Sequence, residues 1–205
     1  SAGYKREGEF YQIINEMGKT KTHQTLDYTN GNYINNSRPV DLAIRGEGFF
    51  EVKTANGIEL SRNGRFSLSE EGFLVNDNGD KVMGNRGEIN LTSYQMNQNQ
   101  SVSVTRNGEI RIGDEIVDNL KISTVDNLDS LQKTGGSNYM DYNQNYMPAE
   151  EEKFEVLSGY IEESNVNAIY EMQKMIEINK EYEAAQKVIN TIDASLDRLK
   201  EIGRV

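Results

Sequence analysis

Two different spacings of apolar residues divide the chain. Across residues 27–133, short apolar runs alternate with turn residues. The runs fall at 40–44, 49–52, 58–60, 66–68, 73–75, 102–104, 110–112 and 120–125. Leu42/Ile44, Phe66/Leu68, Val102/Val104 and Ile110/Ile112 repeat every second residue, the period of a strand with one buried face. Asn30-Gly31, Asn56-Gly57, Asn63-Gly64, Asn78-Gly79 and Asn107-Gly108, with Gly72 and Gly87, punctuate the runs. Asn-Gly supplies the positive φ that tight hairpins need. The pattern predicts an antiparallel β domain built from short hairpins.

The second spacing is helical. Residues 166–202 contain neither Gly nor Pro, and Gly203 follows as a stop. Asn165 or Asn167 can cap the start. Within this stretch Met175, Ile178, Tyr182, Ala185, Ile189, Ile192, Leu196 and Leu199 are separated by alternating steps of 3 and 4. That is a heptad seam of coiled-coil type. Its 37 residues, at 1.5 Å each, make a rod of roughly 55 Å. Glu177/Lys180 and Glu183/Lys187 sit at helical pair spacing on its outer face. A helix of this length must bury its seam on another helix or lie along the β domain, which it would overhang.

The remaining segments are polar. Residues 1–26 read as an N-terminal linker. Within it, residues 9–17 suggest a short helix stopped by Gly18, and residues 19–25 an extended run. Residues 134–153 read as an extended linker or strap marked by Tyr139, Tyr142 and Tyr146. Residues 154–205 read as the helical assembly segment.

Composition narrows the function. The chain has 205 residues, 33 acidic against 22 basic, a net charge of −11, and a mean hydropathy of −0.72. An acidic surface opposes broad nucleic-acid binding, and no apolar run is long enough to span a membrane. The chain has no Cys and one His. That excludes disulfides, thiolate metal sites, a cysteine nucleophile and a His-pair metal site. Hydrophobic residues make up 36%, enough for one modest core with flanking segments that need a partner.

Candidate chemistry fails on spacing. Gly46-Glu47-Gly48 opens like a dinucleotide loop but lacks the third Gly and a following helix. Both glycines read as turn or bulge positions. The stretch Asn76-Asp77-Asn78-Gly79-Asp80 resembles a calcium loop, but Leu74 stands where the first ligand belongs, so it reads as a hairpin tip. His23 lies in a polar stretch without a nearby Ser or Asp. The acidic clusters Glu150-Glu151-Glu152 and Glu162-Glu163 suit helix beginnings. No catalytic residue, cofactor site or metal site is expected.

Three stretches carry a resemblance. The first runs from Pro39 through Asp41-Leu42-Ala43-Ile44, Gly46, Gly48-Phe49-Phe50 and Val52. The second runs from Ser61-Arg62-Asn63-Gly64 through Phe66, Gly72-Phe73-Leu74-Val75 and Val82-Met83-Gly84. The third is Gly159-Tyr160-Ile161-Glu162-Glu163-Ser164-Asn165-Val166-Asn167 with Glu171-Met172, Met175-Ile176, Tyr182-Glu183 and Asp193. In order and spacing they resemble the FlgF/FlgG family of bacterial flagellar rod and hook proteins. Lys180 stands where the family has Arg. Gly3-Tyr4-Lys5-Arg6 resembles the end of the family's N-terminal helix, so the sequence is expected to lack that helix.

The resemblance implies a structural subunit of the basal-body rod, which self-assembles into a helical tube and carries torque from motor to hook. It implies copies of the chain and other rod and hook proteins as partners. It also implies passage through the flagellar export apparatus without a cleaved signal peptide. The seam would be the assembly interface, with Gly46, Gly48, Phe49, Phe50, Ser164, Asn165, Val166 and Asn167 as family-motif residues. The residues by themselves also allow a β-rich cell-envelope binding or adhesin module on a helical stalk.

Overall fold

The structure is a computed structural model that describes residues 6–12, 21–27, 29–92, 101–166 and 168–202. The chain divides into two compact units, Ser1–Asn165 and Val166–Val205. The first unit is antiparallel β throughout its described ladders. β1 (Arg6–Gln12) and β2 (Lys21–Asp27) pair along their whole length, Arg6 opposite Asp27 and Gln12 opposite Lys21. β3 (Tyr33–Asn35), β4 (Leu42–Gly46), β5 (Phe49–Thr54) and β6 (Gly57–Ser61) follow. A two-residue loop, Ala55-Asn56, joins β5 to β6. Gly57 closes it at φ +124, a value that favours glycine.

The short strands β7 (Ser67–Leu68), β8 (Leu74–Val75), β9 (Lys81–Gly84) and β10 (Gly87–Glu88) continue the meander. β11 (Val102–Val104), β12 (Glu109–Ile112) and β13 (Glu115–Asn119) make a separate three-stranded sheet. β14 (Ile122–Val125), a 3-10 turn at Leu128–Ser130, β15 (Gln132–Gly135), β16 (Asn138–Met140) and β17 (Tyr146–Pro148) return to the main sheet. Its order is β15-β16-β6-β5-β9-β8-β7, with β14 joining β5 to β17. The last strands, β18 (Phe154–Ser158) and β19 (Tyr160–Glu162), pair back onto β4 and β3. The end of this unit is thereby tied to its beginning.

Alternation along β5 sorts the core into two clusters. Successive strand side chains point to opposite faces. Phe50 and Val52 join a large cluster with Leu42, Ile44, Phe66, Leu74, Val82, Ile89, Ile110, Leu120 and Val156. Phe49 joins a smaller one with Leu60, Val125, Leu131 and Tyr139. The Phe50 and Phe66 rings meet edge to face with centroids 5.2 Å apart, a favoured aromatic geometry.

Several expectations need correction. Residues 9–12, expected to open a short helix, are strand in β1. Residues 13–17 of that expected helix lie outside the described residues. Part of the expected linker at 19–25, including His23, belongs to β2, where cross-strand backbone pairing replaces isolation. The linker expected over 134–153 carries β16 and β17. Tyr139 there is fully buried, while Tyr142 is exposed. Residues 154–162, expected to begin the helical segment, are β18 and β19. Glycine at 159 takes φ +81 between them, which breaks any helix there.

The second unit is the helix α1 (Ala168–Ile202), 35 residues long. Every described side chain from Met172 to Ile192 is exposed.

Truncating a core ring should be expensive. Phe66→Ala is expected to cost about 3–5 kcal/mol in urea unfolding, whereas Tyr142→Ala, at an exposed site, should stay within about 0.5 kcal/mol.

Candidate functional site

The three sequence motifs meet at one buried side chain, Arg62. It leaves the end of β6, where the chain turns sharply out of the sheet. Ser61 Oγ accepts from the Asn63 amide at 3.2 Å, and Asn63 Oδ1 accepts from the Arg65 amide at 3.0 Å. The Leu42 amide donates to the Gly64 carbonyl at 2.9 Å. A Cβ on Gly64 would collide with the Leu42 carbonyl oxygen, so this glycine is required for close approach of backbone.

From this turn the Arg62 guanidinium reaches back under β4. Nη1 donates to the Ile44 carbonyl at 3.1 Å and Nη2 to the Gly46 carbonyl at 2.7 Å. The group stands 5.2 Å over the Phe49 ring and 3.8 Å from Glu162 Oε2. Glu162, the last residue of β19, is itself buried, and its Oε1 accepts from the Gly31 amide at 2.9 Å. Tyr33 on β3 donates its hydroxyl to the same Ile44 carbonyl at 3.1 Å. Arg62 and Glu162 are 100 positions apart in sequence, and each belongs to a different motif.

Burial governs the electrostatics. It lowers the Arg62 pKa, and the Glu162 charge works against that fall. Burial also raises the Tyr33 phenol above its ordinary value of 10.0, and the Glu162 charge adds to the rise. Removing one member of a buried pair strands the other charge, at a cost of about 3–5 kcal/mol.

The other motif residues fall around this junction. Gly46 and Gly48 flank Glu47 at the β4–β5 turn with φ of +98 and +122, as expected of turn positions. A Cβ on Gly46 would meet the Lys153 carbonyl. Phe49 and Phe50 face the two core clusters. Asn165 Nδ2 donates to the Thr29 carbonyl at 3.2 Å and to Thr29 Oγ1 at 3.3 Å. Ser164 and Val166 are half-buried, and Asn167 lies outside the described residues. The Asn76 turn is satisfied internally: Asn76 Oδ1 accepts from the Asn78 and Asp80 amides, and its Nδ2 donates to Asp80 at 2.9 Å.

On α1 the seam residues Met175, Ile178, Tyr182, Ile189 and Ile192 are 53–64% exposed, and Ala185 is exposed as well. The side chains of Leu196 and Leu199 lie outside the described ones. Among the described residues no acidic or histidine cluster is placed to hold a metal ion, and no helix is long and apolar enough to cross a membrane. The residue that sequence reasoning undervalued is Arg62. A lone cation at the end of a β run, directly before Asn-Gly, is the signal that marks it.

Comparison with known proteins agrees with this anatomy. Residues 43–112 match the family model "Flagellar hook protein FlgE/F/G D1 domain", and residues 157–202 match "Flagellar basal body rod FlgEFG protein C-terminal". The chain is 31% identical over 188 residues to the flagellar basal-body rod protein FlgG of Buchnera aphidicola subsp. Schizaphis graminum, covering 85% of this chain and 69% of that protein. The chain belongs to the flagellar basal-body rod protein family. It is also 29% identical over 180 residues to FlgF of Caulobacter vibrioides, covering 87% of this chain and 72% of that protein. With FlgG of Bacillus subtilis it shares 28% identity over 203 residues, 92% and 75% of the two chains. Membership in this family makes the chain a structural protein of the flagellar basal body and not an enzyme.

Within this rod-family chain the buried pair should behave as a unit. Arg62→Met is expected to destabilise by about 3–5 kcal/mol. Adding Glu162→Gln should cost less than the sum of the single changes, read as a coupling energy in a denaturant double-mutant cycle.

Tyr33 gives a pH signature. A folded-state pKa above the unfolded value of 10.0 means its contribution is complete below that pH and is lost as pH rises through the folded pKa. The stability difference between wild type and Tyr33→Phe should therefore be constant near neutrality and shrink above pH 10, measured by urea unfolding across that range.

Proposed function

We propose that the chain polymerises into the basal-body rod, with the α1 seam as its assembly surface, and that the resulting tube carries torque from motor to hook. One observation supports this reading most: a heptad seam on a 35-residue helix whose described members are all exposed. Most helical stability in proteins comes from packing an amphipathic face. The seam of this chain is therefore matched to helices of neighbouring subunits in a coiled-coil-like arrangement. Repeated head-to-tail contacts that do not close on themselves generate a helical filament.

The β unit supplies the complementary property. Its core and its Arg62–Glu162 junction are complete within one chain. It can stay rigid while the helices carry the contacts between subunits. Other rod and hook proteins would extend the same contacts at each end of the segment. Passage through the flagellar export apparatus as an unfolded chain suits a sequence without cysteine, since no disulfide can form on the way.

Ile189→Asp and Leu196→Asp place a carboxylate in the seam and should abolish assembly while leaving the β unit folded. The measurement is rod length in basal bodies by electron microscopy, alongside motility of the bacteria. Shortened or missing rods are expected; full-length rods and normal swimming in both variants would contradict the reading.

A further inference from the structure

The methionines of the chain differ sharply in their surroundings. Met83 and Met140 are half-buried in the β unit, and Met17 and Met96 lie outside the described residues. Met147 on β17 is 43% exposed, whereas Met172 and Met175 on α1 are 66% and 64% exposed. Of these, Met175 alone falls on the seam, one heptad before Tyr182. Ile178, Ala185, Ile189, Ile192, Leu196 and Leu199 are hydrocarbon side chains and Tyr182 is a phenol, so Met175 is the single thioether of the seam.

A thioether can change polarity without a change of sequence. Hydroperoxides convert Met to its sulfoxide, and thiol-dependent reductases reverse the step. The sulfur lone pair attacks one peroxide oxygen, so that an S–O bond forms as the O–O bond breaks. The proton on the transferred oxygen passes to the departing hydroxide, which leaves as water. Sulfur is oxidised by two electrons and the peroxide is reduced. Attack needs an open approach to sulfur, and Met175 offers one in the free chain. The product carries a strong dipole. Buried among hydrocarbon side chains of a neighbouring seam, its oxygen would have no donor, and an unpaired polar group is costly there.

We propose that Met175 is a reversible oxidation site that controls assembly. Its thioether form joins the seam, and its sulfoxide form is refused until a sulfoxide reductase restores it. The inference rests on the assembly reading above. The contact also protects the site, because a covered seam keeps peroxide from the sulfur. Oxidation therefore acts on free chains and spares finished rods.

The test has a chemical arm and a cellular arm. Purified free chain and isolated basal bodies are treated with dilute hydrogen peroxide, and sulfoxides are located by peptide mass spectrometry. Met175 sulfoxide is expected in the free chain and should be strongly depleted in the rods. In bacteria, rods are counted by electron microscopy for wild type, Met175→Leu, Met175→Gln and Ile189→Asp. Met175→Gln, a permanent polar replacement, should give about tenfold fewer rods, the effect of one unpaired polar group in an apolar contact. Met175→Leu keeps size and apolarity and should assemble as wild type does. A peroxide pulse during rod formation should then cost wild type its rods and spare Met175→Leu. An unoxidised Met175 in the free chain, equal oxidation in the rods, or normal rods in Met175→Gln overturns the proposal. So does loss of rods in Met175→Leu, or an equal effect of the pulse on both strains. If Ile189→Asp still lacks rods in those cases, the assembly reading stands; if it forms them, both fall.

Discussion

Helix α1 satisfies its backbone within itself, yet from Met172 to Ile192 its described side chains are all exposed. Backbone bonds alone return little over the entropy of ordering the chain. The favourable term for a helix is the apolar face it removes from water. Here that face is the seam, and the chain's own β unit already has a filled core. In the proposed assembly this imbalance would divide the labour: the β unit holds its own core, and the exposed seam of α1 would pack on helices of neighbouring subunits.

The completeness of the β unit depends on how its two ends are joined. β18 and β19 pair with β4 and β3, so the strands just before the helix are stitched to those at the start of the unit. Arg62 locks that closure from below. Its guanidinium is shared among the Ile44 and Gly46 carbonyls, the Phe49 ring and Glu162. Motifs separated by a hundred residues therefore serve one junction. A buried ion pair is weak evidence for stability in itself. Its use here is geometric, because the guanidinium and carboxylate satisfy backbone groups of two different segments, β4 and the turn at Gly31.

Most of the β character of residues 40–125 was legible from period two and Asn-Gly turns, since both reflect local backbone requirements. The long helix was legible too, because residues 166–202 carry neither Gly nor Pro and their apolar residues recur at steps of 3 and 4. The strands after residue 134 were not. Asn138, Tyr139 and Met140 are polar or amphipathic by composition, and they are strand because β6 and β15 flank them, a non-local fact. Gly159 hides β18 and β19 behind what looks like the approach to a helix. The Arg62 junction was half visible: both partners stood inside motifs, but only the fold shows that they meet. A polar pair buried at long range leaves no periodic trace in a sequence.

Amide hydrogen exchange on the unassembled chain and on assembled rods tests the division between the two units most directly. The account predicts slow exchange at the β-core amides of Leu42, Val52 and Leu60 in both states. The amides of α1 from Met172 to Ile192 should exchange fast in the free chain and slow by orders of magnitude in the rod. Protection of α1 equal to that of the β core in the free chain, or no gain in its protection on assembly, would contradict it.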